Sequence, residues 1–335
     1  MTLSTPRDSR ASRLLRSPSV RALAALALVV LIGAIFNADG AFFRWHTHRD
    51  MLRHISVFGI LACGMTLVII TSGIDLAVGS VLGLSAVLFS LFSLQFGWSA
   101  WLAIPVCLMA GAACGLASGG LIARFRLQPF IATLAMMVFA RGLAKWLSGG
   151  RKISTAVQLA DGRFEYREVP PVFRAIGSKL FAENIAVVTL IFLACVLACY
   201  VLLSKLRWGR HLYAVGGNEE AARLSGVPVA RTKLLAYGLC GLLSAAAGIC
   251  HAIQEQQGDP EAGSGYELTA IAIVVIGGTS MNGGKGGMGL TLIGAMTIGY
   301  LEKILSINAV GEATRLMLTG LIIVGAVLFQ RHRKS

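Results

Sequence analysis

Charged residues are scarce in this chain: of its 335 residues only 14% are Asp, Glu, Lys or Arg, whereas 56% are hydrophobic. A soluble domain carries nearer a quarter charged residues, so the composition argues against a soluble globular protein. Apolar runs long enough to cross about 30 Å of hydrocarbon recur along the whole chain. The sequence therefore predicts an all-α, polytopic membrane protein.

Motifs of catalysis, nucleotide binding and metal binding are also missing from the sequence. The segment GGTSMNGGKGGMG has the glycines of a phosphate-binding loop, but Thr279 stands where Walker A needs its first Gly, and Gly286 where it needs Ser or Thr. The seven cysteines lie in or beside apolar segments, without a C-x-x-C pair or a His at ligand spacing. We therefore expect no catalytic residue, cofactor or metal, and a protein that is not an enzyme.

The net charge of +14 is concentrated beside the apolar runs, at residues 7–21, 205–233 and 331–334. No basic face with interleaved aromatic residues occurs, so nucleic acid is not an expected partner, whereas the lipid bilayer is. Basic clusters mark the cytoplasmic ends of membrane helices. We therefore predict cytoplasmic N- and C-terminal tails at residues 1–20 and 331–335.

About ten transmembrane helices are predicted within one membrane domain, residues 21–330. The predicted spans are 21–37, 54–71, 76–96, 99–122, 128–148, 184–204, 232–254, 267–282, 288–305 and 312–330. Alternation of these spans places the segment 149–183 outside and the basic segment 205–233 inside.

The inside segment contains a short predicted helix, in the sequence GGNEEAARLSGVPVARTK. Asn218 is a good N-cap, and Glu219 falls in the first turn, where the helix dipole favours an acid. Gly226 and Pro228 end the helix. A short helix with small side chains suits the groove of a partner protein, although a solvated connector is the alternative.

Asp75 is the only charged residue between Ile55 and Ala123. Ser72 and Gly73 interrupt the apolar run just before it, which predicts a discontinuous helix. An Asp at such a break can accept hydrogen bonds from free backbone N–H groups, and a direct substrate or proton role is the alternative. The sequence GIDLA at 73–77 is echoed by GYELT at 265–269, which contains Glu267. An inverted-topology repeat would produce this echo, and so would chance.

Four segments resemble, in the expected order, the ribose-type permease subunits of bacterial ABC sugar importers, in the branched-chain amino acid and sugar permease superfamily. They are TSGIDLAVGS, LQPFIATLAMM with the following ARG, YAVGGNEEAARLSGV and YELTAIAIVVIGGTSMNGGKGG. The family pattern GGIDLSVGS is altered here at Ser72 and Ala77, in both cases one small residue for another.

The resemblance implies a permease subunit that moves a monosaccharide or related polyol across the bacterial inner membrane by alternating access. It implies cytoplasmic ATPase subunits, a periplasmic or lipid-anchored sugar-binding protein, and a second permease subunit in a homodimer or heterodimer. The residues expected to couple the chain to the ATPase are Gly216, Gly217, Asn218, Glu219, Ala221, Ala222, Ser225 and Gly226. The residues expected at the helix break and translocation path are Ser72, Gly73, Asp75, Gly79 and Glu267.

An ion-gradient-driven secondary transporter is the alternative function. In that case Asp75 or Glu302 would be the ion-coupled group, because a chain without a nucleotide site must use either an ion gradient or a partner's ATP. Glu302 lies beside Lys303 near a predicted helix end, so an interfacial ion pair also accounts for it.

Overall fold

The computed structural model of this chain describes residues 17–158, 163–181, 183–311, 313–318 and 320–321. Helices dominate these residues, as the sequence predicts. The α-helices with defined bounds are α1 (Pro18–Ile35), α2 (Trp45–Ile70), α3 (Val78–Ser90), α4 (Ala100–Phe125), α5 (Pro129–Ser148), α6 (Pro171–Gly177), α7 (Val187–Lys205), α8 (Arg207–Gly217), α9 (Glu219–Leu224), α10 (Val229–Glu255), α11 (Tyr266–Ile276) and α12 (Met288–Ile307).

Strand structure among the described residues is confined to two small antiparallel hairpins between α5 and α7. Strand β1 (Ala156–Gln158) pairs with β2 (Phe164–Tyr166), and β3 (Lys179–Leu180) pairs with β4 (Ile185–Ala186). The described residues of the predicted 149–183 segment therefore include β1, β2, β3 and α6, and β4 follows directly after it. We call this side of the helix bundle the hairpin end, and the opposite side, which carries α9, the α9 end.

Eight helices in the described part of the chain are long and apolar enough to cross a membrane, and a ninth predicted span is shorter. Helix α11 ends at Ile276 rather than near residue 282, because Gly277 and Gly278 follow and Gly278 has φ +102°. Helix α2 begins at Trp45 rather than near residue 54, since its first turns are polar and lack the apolar signal. The tenth predicted span, 312–330, lies mostly outside the described residues, although 313–318 and 320–321 are helical.

The centre of the bundle is α2, in which every residue from Ile55 to Ile70 is buried. A helix that is apolar on all sides is stable only when other helices surround it. Helices α7, α10, α11 and α12 pack against it, whereas α1, α4, α5 and α7 each keep a largely exposed apolar face. The outer helices therefore shield α2 and α3 from the surroundings of the bundle.

Glycines allow α4 and α10 to pack with their backbones in direct contact. A Cβ added at Gly115 would overlap the carbonyl oxygen of Tyr237, and one at Gly241 would overlap that of Gly111. Gly111 and Gly115 form a G-x-x-x-G pattern, which in membrane helices marks close packing. The small residues of α4 thus fix its position on α10, which in turn packs on α2.

We predict that Gly115→Ala destabilises the protein, because the added methyl group must push α4 away from the Tyr237 backbone. Overpacking of this kind typically costs about 1–3 kcal/mol. The matched control is Gly120→Ala on the same helix, where a Cβ would lie 3.9 Å from Leu234 Cδ1 and meet no closer atom. Thermal unfolding of both purified variants in detergent measures the difference, and equal melting temperatures would contradict this packing.

Candidate functional site

The first helix break lies between α2 and α3. Ser72 has a left-handed backbone (φ +63°), and Gly73 has no room for a side chain because a Cβ there would overlap the hydroxyl of Tyr237. Asp75 is only 3% exposed, and its Oδ1 accepts a hydrogen bond from the backbone N–H of Ala77 at 2.9 Å. The carboxylate thereby satisfies a backbone donor immediately before α3 begins.

A second break precedes α11 and packs against the start of α3. Gly263 and Gly79 touch backbone to backbone, since a Cβ at either would overlap the carbonyl oxygen of the other. A Cβ at Gly79 would also lie 2.7 Å from Glu267 Oε2, in the first turn of α11. The predicted break residues Gly79 and Glu267 are therefore neighbours, and the first turns of α3 and α11 meet inside the bundle.

Arg141 on α5 holds the non-helical link 256–265 that leads into α11, and the sequence reasoning missed this role. Its guanidinium donates to the carbonyl oxygens of Pro260 and Ala262, the latter at 2.7 Å. Its Nη1 also lies where a side chain of Gly83 would point, 2.8 Å from an added Cβ. A charged residue near the middle of a mostly apolar span was the available signal, because such residues are rare and usually functional.

The same link is also held by ion pairs near the hairpin end. Glu261 pairs with Lys145 at 2.6 Å, and Asp259 with Lys152 at 3.0 Å. Burial raises the pKa of Asp259, but the N–H of Glu261 and the charge of Lys152 outweigh it, so the pKa lies below its usual value. Asp259 therefore stays ionised, and its charge is engaged within this chain.

A polar cavity of about 340 Å³ opens beside this link. His251, Glu255 and Gln257 are among the residues that line it, with Tyr266 at the start of α11. These side chains offer both hydrogen-bond donors and acceptors. Within the described residues, no group of three His, Cys, Asp or Glu side chains is arranged to hold a metal ion.

At the α9 end, the predicted short helix is present with its predicted cap. Asn218 Oδ1 accepts from the N–H of Ala221 at 2.9 Å, and the helix ends before Gly226, which has φ +80°. Glu219 pairs with Lys233 on α10 at 2.7 Å and with Arg223 at 3.1 Å. Helix α9 is therefore attached to α10 through a charged contact as well as through the chain.

The sequence predicts that both alanines of α9, Ala221 and Ala222, contact the ATPase. In the structure they lie on different faces of the helix. Ala222 is only 5% exposed and packs with Val215 and Val229 of this chain, so it is unavailable to a partner. Ala221 is exposed, and Leu224, which was not predicted as a site residue, is 81% exposed. In the sequence, Leu224 is the only large apolar residue of this short helix, and this could have indicated a contact residue. The other predicted residues divide in the same way: Gly216 is buried, whereas Gly217, Asn218, Ser225 and Gly226 are exposed.

The structure brings the two predicted groups of residues together through α8, a helix that the sequence reasoning missed. Its buried positions, Gly209, Leu212, Val215 and Gly216, follow a helical period that was readable in the sequence. The hydroxyl of Ser72, at the first break, donates to the carbonyl oxygen of Gly216 at 3.0 Å. A single hydrogen bond, from Ser72 to the end of α8, therefore links the first helix break to the residues that lead into α9.

Known transport proteins are similar to this chain over most of its length. The model of a family described as branched-chain amino acid transport system / permease component matches residues 49–327. The chain is 38% identical over 312 residues to the ribose import permease protein RbsC of Escherichia coli K12, covering 92% of this chain and 93% of that protein. No solved structure matches the chain at a significant level.

Permeases named for other sugars are also similar. The fructose import permease protein FrcC of Rhizobium meliloti is 34% identical, over 91% of this chain and 84% of that protein. The L-arabinose transport system permease protein AraH of Escherichia coli K12 is 36% identical, over 84% and 81%. These similarities confirm the predicted resemblance and favour an importer permease over a secondary transporter. The chain belongs to the family of permease components of branched-chain amino acid transport systems.

Proposed function

We propose that this chain is the permease subunit of an ATP-driven ABC importer that moves a monosaccharide or related polyol across the bacterial inner membrane by alternating access. Similar proteins are named as permeases for ribose, fructose and L-arabinose, and these names support this substrate class. The polar cavity beside the 256–265 link also suits a solute rich in hydroxyl groups. The chain performs no covalent chemistry, and ATP is hydrolysed on a separate cytoplasmic subunit.

The proposed complex contains two cytoplasmic ATPase subunits, a second permease subunit and a periplasmic or lipid-anchored sugar-binding protein. The permease domain spans residues 21–330, with both terminal tails in the cytoplasm. The segment 149–183 then lies outside, where the binding protein docks, and 205–233 lies inside. The basic residues beside the inside segments support this orientation.

The observation that carries the proposal is the exposure of α9 combined with its firm attachment. One face of α9 packs on this chain through Ala222, and Glu219 fastens it to α10. The other face presents Leu224 and Ala221 at the surface. A rigid helix with an exposed apolar side chain can transmit a push from a partner, whereas a slack loop would absorb it.

We predict that Leu224→Glu lowers the amount of ATPase that copurifies with the chain at least tenfold and abolishes sugar uptake. Burial of a leucine side chain is worth roughly 1.5–3 kcal/mol, and each ~1.4 kcal/mol changes binding tenfold. The substitution should not disturb folding, because Leu224 has few neighbours in this chain.

The matched control is Leu127→Glu, the same substitution at an exposed leucine in another link at the α9 end. Both variants are purified from native membranes, and bound ATPase is measured per permease alongside uptake of labelled sugar. Normal ATPase binding by Leu224→Glu would show that α9 is only a solvated connector.

The alternative, a gradient-driven transporter, depends on Asp75 or Glu302 binding the coupled ion. Glu302 Oε2 lies 3.6 Å from His54 Nε2, so its partner is this histidine rather than the adjacent Lys303. Asp75 is buried and hydrogen-bonded to Ala77. A structural role accounts for both acids, and uptake by variants distinguishes the two functions.

We predict that Asp75→Asn retains most transport, because an Asn carbonyl oxygen can accept the same hydrogen bond from Ala77. Asp75→Leu leaves that buried N–H without a partner, which typically costs about 1–3 kcal/mol, so less assembled protein should accumulate. Uptake and membrane abundance are measured for both variants. Loss of uptake by Asp75→Asn at normal abundance is the result that proton or ion coupling requires.

A further inference from the structure

Three backbone segments meet at the α9 end, and one of them is the glycine-rich segment that resembles a phosphate loop. They are Ile70–Ser72 at the end of α2, Gly216–Gly217 at the end of α8, and Asn282–Gly284 in the loop between α11 and α12. We call these residues the junction. Each segment belongs to a different part of the bundle, so the junction connects parts that are distant in the chain.

Hydrogen bonds across the junction satisfy the ends of helices. The N–H of Gly284 donates to the carbonyl oxygen of Ile70 at 2.9 Å, which satisfies one of the carbonyls left free at the end of α2. The Ser72 hydroxyl faces two acceptors, Gly216 O at 3.0 Å and Asn282 O at 2.8 Å. Because a hydroxyl has a single proton, it can donate fully to only one of them at a time.

The junction also leaves no space between its segments. A Cβ at Gly216 would overlap Ile70 O and lie 2.7 Å from Gly284 N, and one at Gly283 would overlap Ser72 Oγ. A Cβ at Gly284 would lie 2.9 Å from Gly217 Cα. A displacement of any one segment must therefore move the other two or break their hydrogen bonds.

The residues beside the junction connect it to α9 and to the first helix break. Asn218, the cap of α9, directly follows Gly217, and Asp75 lies three residues beyond Ser72. On α8, the hydroxyl of Tyr213 donates to Gly286 O at 3.0 Å, which joins α8 to the same loop a second time. The junction and Tyr213 therefore connect α9, by direct contacts, to the α2–α3 break and to the loop between α11 and α12.

We infer that the junction is the joint that transmits movement of α9 to the discontinuous helices, and that Ser72, Gly216 and Gly284 are its positioning residues. This inference rests on the proposed function. It assigns attachment of the ATPase to the exposed face of α9 and assigns the conversion of ATPase movement into sugar transport to the junction. The two properties are therefore separable by substitution.

The test uses the purified complex of permease and copurifying ATPase, reconstituted with its binding protein, and measures ATP hydrolysed per sugar transported. Ser72→Ala removes only the hydroxyl, and Gly284→Ala adds a methyl group against Gly217 at a position with φ +68°. We expect both variants to bind the ATPase normally and to hydrolyse more ATP per sugar. A hydrogen bond of ordinary net strength shifts the equilibrium between joined and separated junction segments about fivefold. We therefore expect the ratio to rise by up to about that factor.

The control is Gly289→Ala, at an exposed position near the same loop where a Cβ meets nothing within 4 Å. Its ratio should equal that of the unmodified chain. If Gly284→Ala does not accumulate, Ser72→Ala decides. An unchanged ratio in assembled Ser72→Ala complexes overturns the inference, and so does loss of ATPase binding by that variant. An unmodified chain that purifies without any ATPase overturns the proposed function, and the inference with it.

Discussion

Backbone groups that leave the helical pattern inside the bundle must find partners within the protein, and the candidate site depends on this constraint. The carboxylate of Asp75 accepts from the N–H of Ala77, and the guanidinium of Arg141 donates to the carbonyl oxygen of Ala262. The N–H of Gly284 donates to the carbonyl oxygen of Ile70. The Asp75 contact is local, whereas the other two join residues that are distant in the chain. The helix breaks are therefore held by both local and long-range contacts.

Close backbone contact is the second requirement, and small residues provide it in two ways. In the α4–α10 pair, Gly111 and Gly115 produce a fixed interface between continuous helices. Gly79 and Gly216 lie at helix ends, and they contact Gly263 and Gly284 in the non-helical links that precede α11 and α12. The first kind fixes two continuous helices against each other, and the second kind fixes a helix end against a non-helical link.

The sequence predicted the membrane class, most spans, the cap at Asn218 and the family, because each depends on local pattern. It did not predict that Ala222 faces its own chain, that Leu224 is the exposed residue of α9, or that Arg141 holds the 256–265 link. Those facts depend on which segments become neighbours. The glycine loop after α11 shows the limit most clearly: its glycines resemble a phosphate site, but in the fold they contact Ser72 and Gly216.

The most direct test of the account is the energy source of transport by the complete complex in sealed vesicles. Vesicles containing the chain, its ATPase and the binding protein are supplied with labelled sugar, with or without ATP, and with ionophores that dissipate all ion gradients. The account predicts that accumulation requires ATP and the binding protein and that ionophores leave its rate unchanged. Accumulation that needs no ATP and stops when the ion gradients are dissipated would contradict it.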